Sequence, residues 1–181
     1  MKITHYCNSF LVVNVGETRL ACDPWIGISS YGGWMTYPIT EKGKEILFDS
    51  NPTALYISHV HADHITGATK IKLNTNAKII YGSKTGVDGA DIYLNDLDEL
   101  NLGNQKITAI HTPGHTEGCT SYYTPGYIFT GDTLFIGGTG RTDFQGGSSS
   151  DTYDSVTKKI FIYSDDTIVY PGHNYKGLTC S

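Results

Sequence analysis

The chain has 181 residues, of which 39% are hydrophobic and 17% charged, with a net charge of −5 and a pI near 5.7. That balance excludes a disordered chain, and the scattered Lys and Arg exclude a nucleic-acid protein driven by a basic stripe. No apolar run approaches a membrane span, and the opening "MKITHYCNSF" has no apolar signal core. The expectations are therefore one domain over residues 1–181, no nucleic-acid or membrane partner, and a cytoplasmic protein. Cys7, Cys22, Cys119 and Cys180 form no C-x-x-C pair and read as reduced thiols.

In chain order, "SFLVVNV" and "TRLACDP" flank Gly16 and Glu17 and read as a β-hairpin. Residues 25–40, "WIGISSYGGWMTYPIT", have no helical period and read as a loop whose Trp25, Tyr31, Trp34 and Tyr37 are pinned rings, a pocket wall or a subunit contact. "ALYIS" is a buried-strand candidate, "ITGATKIKL" a short helix and "AKIIYG" another strand. "DIYLNDLDELNLGNQ" reads as a polar connection. "KITAIHT", "TSYYT" and "YIFTG" read as three strands. Residues 148–164 are the best helix, with serines and Asp151 as N-cap candidates and Tyr153, Val156, Ile160 and Tyr163 at helical spacing. "DTIVYPGHN" is a last strand and turn. Strands with occasional helices suggest sheet layers with helices outside.

The chemistry concentrates at the ends of these strands. "SHVHADH", residues 58–64, carries three of the seven histidines and an aspartate. If the strand stays extended past His59, then His59 and His61 face one side, with Asp63 and His64 at the turn that follows. "AIHTPGHT" and "IVYPGHNY" each place a Pro-Gly pair before a histidine, which suits a type II turn lifting His115 and His173 off a strand end. Asp132 follows Gly131 at the end of "YIFTG". His5 and His111 are left without a role.

His59, His61, Asp63, His64, His115, Asp132 and His173 are thus seven candidate metal ligands. Imidazole and carboxylate together suit zinc, iron or manganese rather than an all-oxygen calcium site. Seven exceed the needs of one tetrahedral ion. They suit two adjacent metals with a bridging carboxylate, or one metal with its second set unfilled.

H-x-H-x-D-H followed by a distant His, Asp and His resembles the metallo-β-lactamase superfamily. The resemblance implies an α+β fold, a four-layer αβ/βα sandwich with metals at one edge of two packed sheets. In the family's usual arrangement His59, His61 and His115 would hold one metal, Asp63, His64 and His173 the second, and Asp132 would bridge. "HADHITG", "HTPGHTEGC", "FTGDTLFIGGTGRTDFQGG" and "DDTIVYPGHNYKGLT" are similar to the persulfide dioxygenases, and after them to glyoxalase II, with "GTGRTDFQ" pointing to the dioxygenases. That resemblance implies one iron(II) held by His59, His115 and Asp132, with His61, Asp63, His64 and His173 orienting the site. It implies oxidation of glutathione persulfide to sulfite.

A dinuclear zinc, iron or manganese hydrolase of a thioester or lactone, like glyoxalase II, is the alternative, and a metal-stabilised binding module without catalysis the third reading. Candidate catalytic residues are Asp63, Asp132 and Tyr175. Arg141 and Tyr175 are the candidates for binding a small thiol-derived, glutathione-linked substrate, Arg141 through a substrate carboxylate. Arg141 paired with Asp143 as a loop brace is the competing reading. The stretch "CDPWIGISSYGGWMTYPIT" looks more like the sugar-acid or lactone-type branch. The sequence runs only a few residues past His173, so the expectation is a site without the helical region with which glyoxalase II helps hold glutathione. A homodimer in which a neighbouring subunit compensates is an open expectation.

Overall fold

The computed structural model describes residues 1–7, 10–23, 52–59 and 68–173. Its first sheet has six strands: β1 (Lys2–Cys7), β2 (Phe10–Val15), β3 (Thr18–Cys22), β4 (Ala54–Tyr56), β5 (Lys78–Gly82) and β6 (Ile92–Leu94), in that spatial order. β1 to β3 pair antiparallel, as short turns require, and β3 to β6 pair parallel. The expected hairpin is the β2–β3 pair, and Gly16 takes a φ of +59° in its turn.

The second sheet holds five strands: β7 (Glu99–Leu102), β8 (Gln105–His111), β9 (Thr120–Thr124), β10 (Tyr127–Gly131) and β11 (Ile168–Pro171). Their order is β11-β10-β9-β8-β7, antiparallel except for the β10–β11 pair.

Strand alternation builds the layers. Leu11, Val13 and Val15 of β2, Tyr56 of β4, Ile107 and Ala109 of β8 and Phe129 of β10 meet in the core between the sheets. Val12, Leu55 and Ile57 point to the other side of the first sheet. There they pack against Ala68 and Ile71 of helix α1 (Ala68–Thr75). Ile110 and Ile128 point to the other side of the second sheet and pack against Val156 and Ile160, which follow helix α2 (Ser149–Ser155). The order is helix, sheet, sheet, helix, as the resemblance implies.

Three elements differ from the sequence reading. β1 was not anticipated. The stretch 91–105, expected as a connection, contains β6 and β7 at the adjacent edges of the two sheets, where only Leu94 and Leu102 are buried. Such a strand needs few apolar residues and so looks like a loop.

The helix at 148–164 begins as expected, with Ser148 capping it by accepting from the Asp151 N–H at 3.2 Å. After Ser155 it widens into a π-helical turn, Val156–Ile160. The buried set becomes Thr152, Ser155, Val156 and Ile160, and Tyr153 is exposed rather than inward. Tyr163 is partly buried, stacked on Tyr123 at 4.0 Å between ring centroids. The aromatic loop at 25–40 lies outside the described residues. Among the described residues no helix is long and apolar enough to cross a membrane.

Candidate metal centre

The C-terminal ends of β4 and of strands in the second sheet come together at one edge of the sandwich. His59 follows β4, His115 follows β8, Asp132 follows β10 and His173 follows β11. His59, His115 and Asp132 offer ligand atoms that all lie within 4.8 Å of one another. Oδ2 of Asp132 is 3.8 Å from Nε2 of His59, 3.6 Å from Nε2 of His115 and 3.5 Å from Nε2 of His173. These spacings exceed ordinary hydrogen bonds, and they approach the roughly 3–3.5 Å between ligand atoms that share one ion at about 2.0–2.2 Å.

The outer nitrogens are already engaged. Nδ1 of His115 lies 2.8 Å from the carbonyl oxygen of Arg141. A carbonyl only accepts, so this contact places the proton on Nδ1 and leaves the Nε2 lone pair facing Asp132. Nδ1 of His59 lies 2.9 Å from Oγ of Ser58. Oδ1 of Asp132 is buried without a hydrogen-bond partner, an expensive state for a carboxylate. Burial, and then the charge of Asp23, push the Asp132 carboxyl up to about 8. Two imidazoles whose inner nitrogens face one buried carboxyl are a donor set that suits a divalent transition-metal ion.

The two Pro-Gly pairs serve this geometry differently from the type II turns expected. Gly114 has a φ of +144°, wider than the about +80° of such a turn. A Cβ there would stand 2.5 Å from the Thr152 nitrogen, so this glycine lets the His115 loop rest on the start of α2. Gly172 is not in the positive-φ region at all. Its lack of a side chain makes room for Asp132, since a Cβ would fall 2.4 Å from Oδ1. Gly140 does the same for His115, whose Nδ1 would be 2.7 Å from a Cβ. The backbone N–H of Gly172 donates to Gly131 O at 2.7 Å and that of Gly140 to Asp132 O at 2.9 Å, clamping both sides of the aspartate.

His61, Asp63, His64 and Tyr175 lie outside the described residues. Arg141 does not turn its guanidinium to the cluster. It is exposed and pairs with Asp143, Nε to Oδ1 at 2.8 Å and Nη2 to Oδ2 at 3.0 Å, which is the loop-brace alternative; its backbone carbonyl is the part that touches His115. His111 is an ordinary structural histidine: its N–H donates to Asp96 and its ring meets the Leu94 carbonyl. Cys119 is a buried free thiol that burial pushes up to about 11, so it braces the His115 loop through Thr116 rather than acting as a nucleophile. Ser58, Asp23, Gly140 and Gly172 carry parts of this site that sequence reasoning missed. Ser58 sits directly before His59, and that adjacency is the only trace the sequence offered.

The sequence is similar to named relatives. It is 37% identical over 146 residues to the mitochondrial persulfide dioxygenase ETHE1 of Homo sapiens, covering 79% of this chain and 55% of that protein. It is 38% identical over 125 residues to hydroxyacylglutathione hydrolase of Hamiltonella defensa, covering 68% of this chain and 49% of that one. The chain thus spans about half the length of the curated relatives it matches. The fold is similar to the crystal structure of ETHE1 from Myxococcus xanthus, with a TM-score of 0.81 and 32% identity over 99% of this chain and 78% of that one. The family model for the metallo-beta-lactamase superfamily matches residues 40–173, the region that supplies all four strand-end candidate ligands. With sandwich, strand-end cluster and sequence in agreement, the chain belongs to the metallo-beta-lactamase superfamily.

Proposed function

We propose that the chain is a persulfide dioxygenase, taking glutathione persulfide, oxygen and water to glutathione and sulfite with one iron(II) at His59, His115 and Asp132. The observation that carries this reading is the cluster itself: two imidazoles and one carboxylate on three strand ends, the set that leaves coordination positions open on a non-haem iron. The 37% identity to a persulfide dioxygenase supports the same reading.

Iron(II) held by His59, His115 and Asp132 would supply redox chemistry suited to oxygen and to the soft sulfur of a persulfide. The protein's part is to hold and shape. Arg141 through its carbonyl keeps the proton of His115 on the outer nitrogen, and the Ser58 hydroxyl meets the outer nitrogen of His59 and fixes the direction of its ring. Asp132 contributes the one negative charge of the cluster from a buried position, where it is poorly screened by water. The ring of Phe135 lies edge-on to His173 at 5.9 Å and lends that side an apolar surface.

A second reading, a dinuclear hydrolase of a glutathione thioester or a lactone, rests on His173. Its Nε2 stands 3.5 Å from the same carboxylate oxygen that faces His59 and His115, as a bridging aspartate requires. In that case His61 would join His59 and His115 on the first metal, and Asp63 and His64 would join His173 on the second.

Oxygen uptake with glutathione persulfide, measured on iron-loaded protein against an Asp132→Ala control, tests the first reading. Uptake stoichiometric with sulfite and absent from the control is the expected result. Two metal ions per chain, with thioester hydrolysis and no oxygen uptake, would replace it by the second.

A further inference from the structure

β8 ends at His111, and the last bond of its ladder with β9 runs from the Thr112 N–H to Cys119 O at 2.9 Å. The carbonyls of Thr112, Pro113 and Gly114 lie beyond that ladder, on the way to His115. Carbonyls inside a fold need donors, and each of these three takes one from a remote segment. Pro113 O accepts from Oγ of Ser155 at 2.7 Å, and Gly114 O from the N–H of Ser148 at 2.7 Å. Thr112 O accepts from Oγ1 of Thr133 at 3.2 Å.

The first two donors come from α2 and its N-cap, and they brace the His115 loop from the helix side. The third is of another kind, because Thr133 directly follows Asp132. Thr133, Thr112 and Ser121 are all buried, and their hydroxyls form a ladder of their own. Oγ1 of Thr133 lies 3.0 Å from Oγ1 of Thr112, which lies 2.8 Å from Oγ of Ser121. A carbonyl only accepts, so the Thr133 proton goes to Thr112 O. Thr133 then accepts from the Thr112 hydroxyl, and Thr112 accepts from Ser121.

The ladder ties the segment of one clustered side chain to the segment of another. Asp132 is the residue before Thr133. His115 is three residues past Thr112, across Pro113, whose ring fixes φ. The 3.6 Å between Oδ2 of Asp132 and Nε2 of His115 is therefore backed by two hydrogen bonds between their own segments.

We infer that Thr133 is a positioning residue for the metal centre. Its hydroxyl locks the Asp132 turn to the His115 loop, so that the two candidate ligands keep one separation before an ion arrives. That preorganisation raises the affinity for the ion and fixes the geometry offered to it. The inference rests on the metal-binding part of the proposed function and not on which reaction the metal serves.

The test uses the full chain with Thr133→Val, which removes the hydroxyl at nearly constant shape, and Thr133→Ser, which keeps it. Competition with a chromophoric chelator reports Zn2+ affinity, and the visible absorption of the Co2+-loaded protein reports coordination geometry. Thr133→Val is expected to weaken Zn2+ binding about 10–100-fold and to alter the Co2+ spectrum. Thr133→Ser is expected to restore both. Leu55→Ala, which loses packing on the far side of the first sheet, is the control for stability alone and should keep the parent affinity in its folded fraction.

A folded valine variant with Zn2+ affinity within about twofold of the parent and the parent Co2+ spectrum would overturn the inference. So would a serine variant that behaves as the valine one does, or a Leu55→Ala control that loses as much affinity. Should Thr133→Val fail to fold, Thr112→Val, which spares the carbonyl bond, decides by the same two readouts. In the parent chain the Thr133 hydroxyl proton must exchange with water slowly enough to give its own NMR signal, and a signal lost to fast exchange also overturns the inference. A parent that took up no Zn2+ would overturn the metal centre and this inference with it, whereas a parent that bound Zn2+ without oxidising persulfide would leave it standing.

Discussion

Gly172 lies so close to Asp132 that a Cβ on the glycine would stand 2.4 Å from Oδ1 of the carboxylate and 3.0 Å from the Gly131 carbonyl carbon. The neighbours are a buried candidate ligand and backbone, and neither can swing aside. Gly172→Ala is expected to displace Asp132 and weaken Zn2+ binding by about 10–100-fold, read by chelator competition. Gly140→Ala should do the same through His115, and Gly126→Ala, whose Cβ would meet nothing within 4 Å, is the control that leaves affinity unchanged.

The buried carboxyls fix the sign of the pH dependence. Asp132 rises to about 8 and Asp23 to about 7, each mainly through burial. An unfolded aspartate titrates near 3.9, so the folded metal-free protein holds these protons more tightly than the unfolded chain. The resulting stability is fully present below about pH 4 and is lost as pH rises through the folded values, by on the order of several kcal/mol in total. Thermal melts of metal-free protein should show a falling Tm from pH 6 to pH 8, with a shallower fall in Asp132→Asn. Zn2+ replaces the proton on Asp132, so its affinity should grow with pH over the same interval, by up to about tenfold per unit.

Arg141 separates into two functions. Its carbonyl holds His115 and its guanidinium holds Asp143. Arg141→Ala retains the carbonyl, so Zn2+ affinity should stay within about twofold of the parent. If the guanidinium exchanges Asp143 for a substrate carboxylate, as a charged partner worth about tenfold in binding would, the same variant raises KM for glutathione persulfide and leaves kcat in place. Steady-state oxygen uptake measures both.

Leu55 is fully buried between the first sheet and α1. Leu55→Ala should cost about 2–5 kcal/mol of stability, read by denaturant unfolding. Its side chain faces away from the inter-sheet core, so the zinc stoichiometry of the folded fraction should not change.

The sequence made the ligands legible because strand-end histidines sit next to apolar runs and Pro-Gly pairs, all local patterns. It hid the chemistry that depends on contacts between remote segments. Gly172 looked like a turn residue, and its closeness to Asp132 exists only once β10 and β11 pair in parallel. Ser58 looked like filler before His59, and the bond from its N–H to Asp23, just past β3, exists only in the folded chain. The strands β6 and β7 were read as a connection because each buries a single leucine at a sheet edge. Tyr153 was expected inward because a 3.6-residue period was carried through Ser155, where the chain changes to a wider turn.

The division of ligands between the sheets has a mechanical consequence. His59 belongs to the first sheet, and His115, Asp132 and His173 to the second. An ion held among them would act as a rivet across the seam of the sandwich, far from the residues that fill it. Prying the layers apart would have to break the coordination first, so the ion-loaded protein should unfold more slowly than the metal-free one.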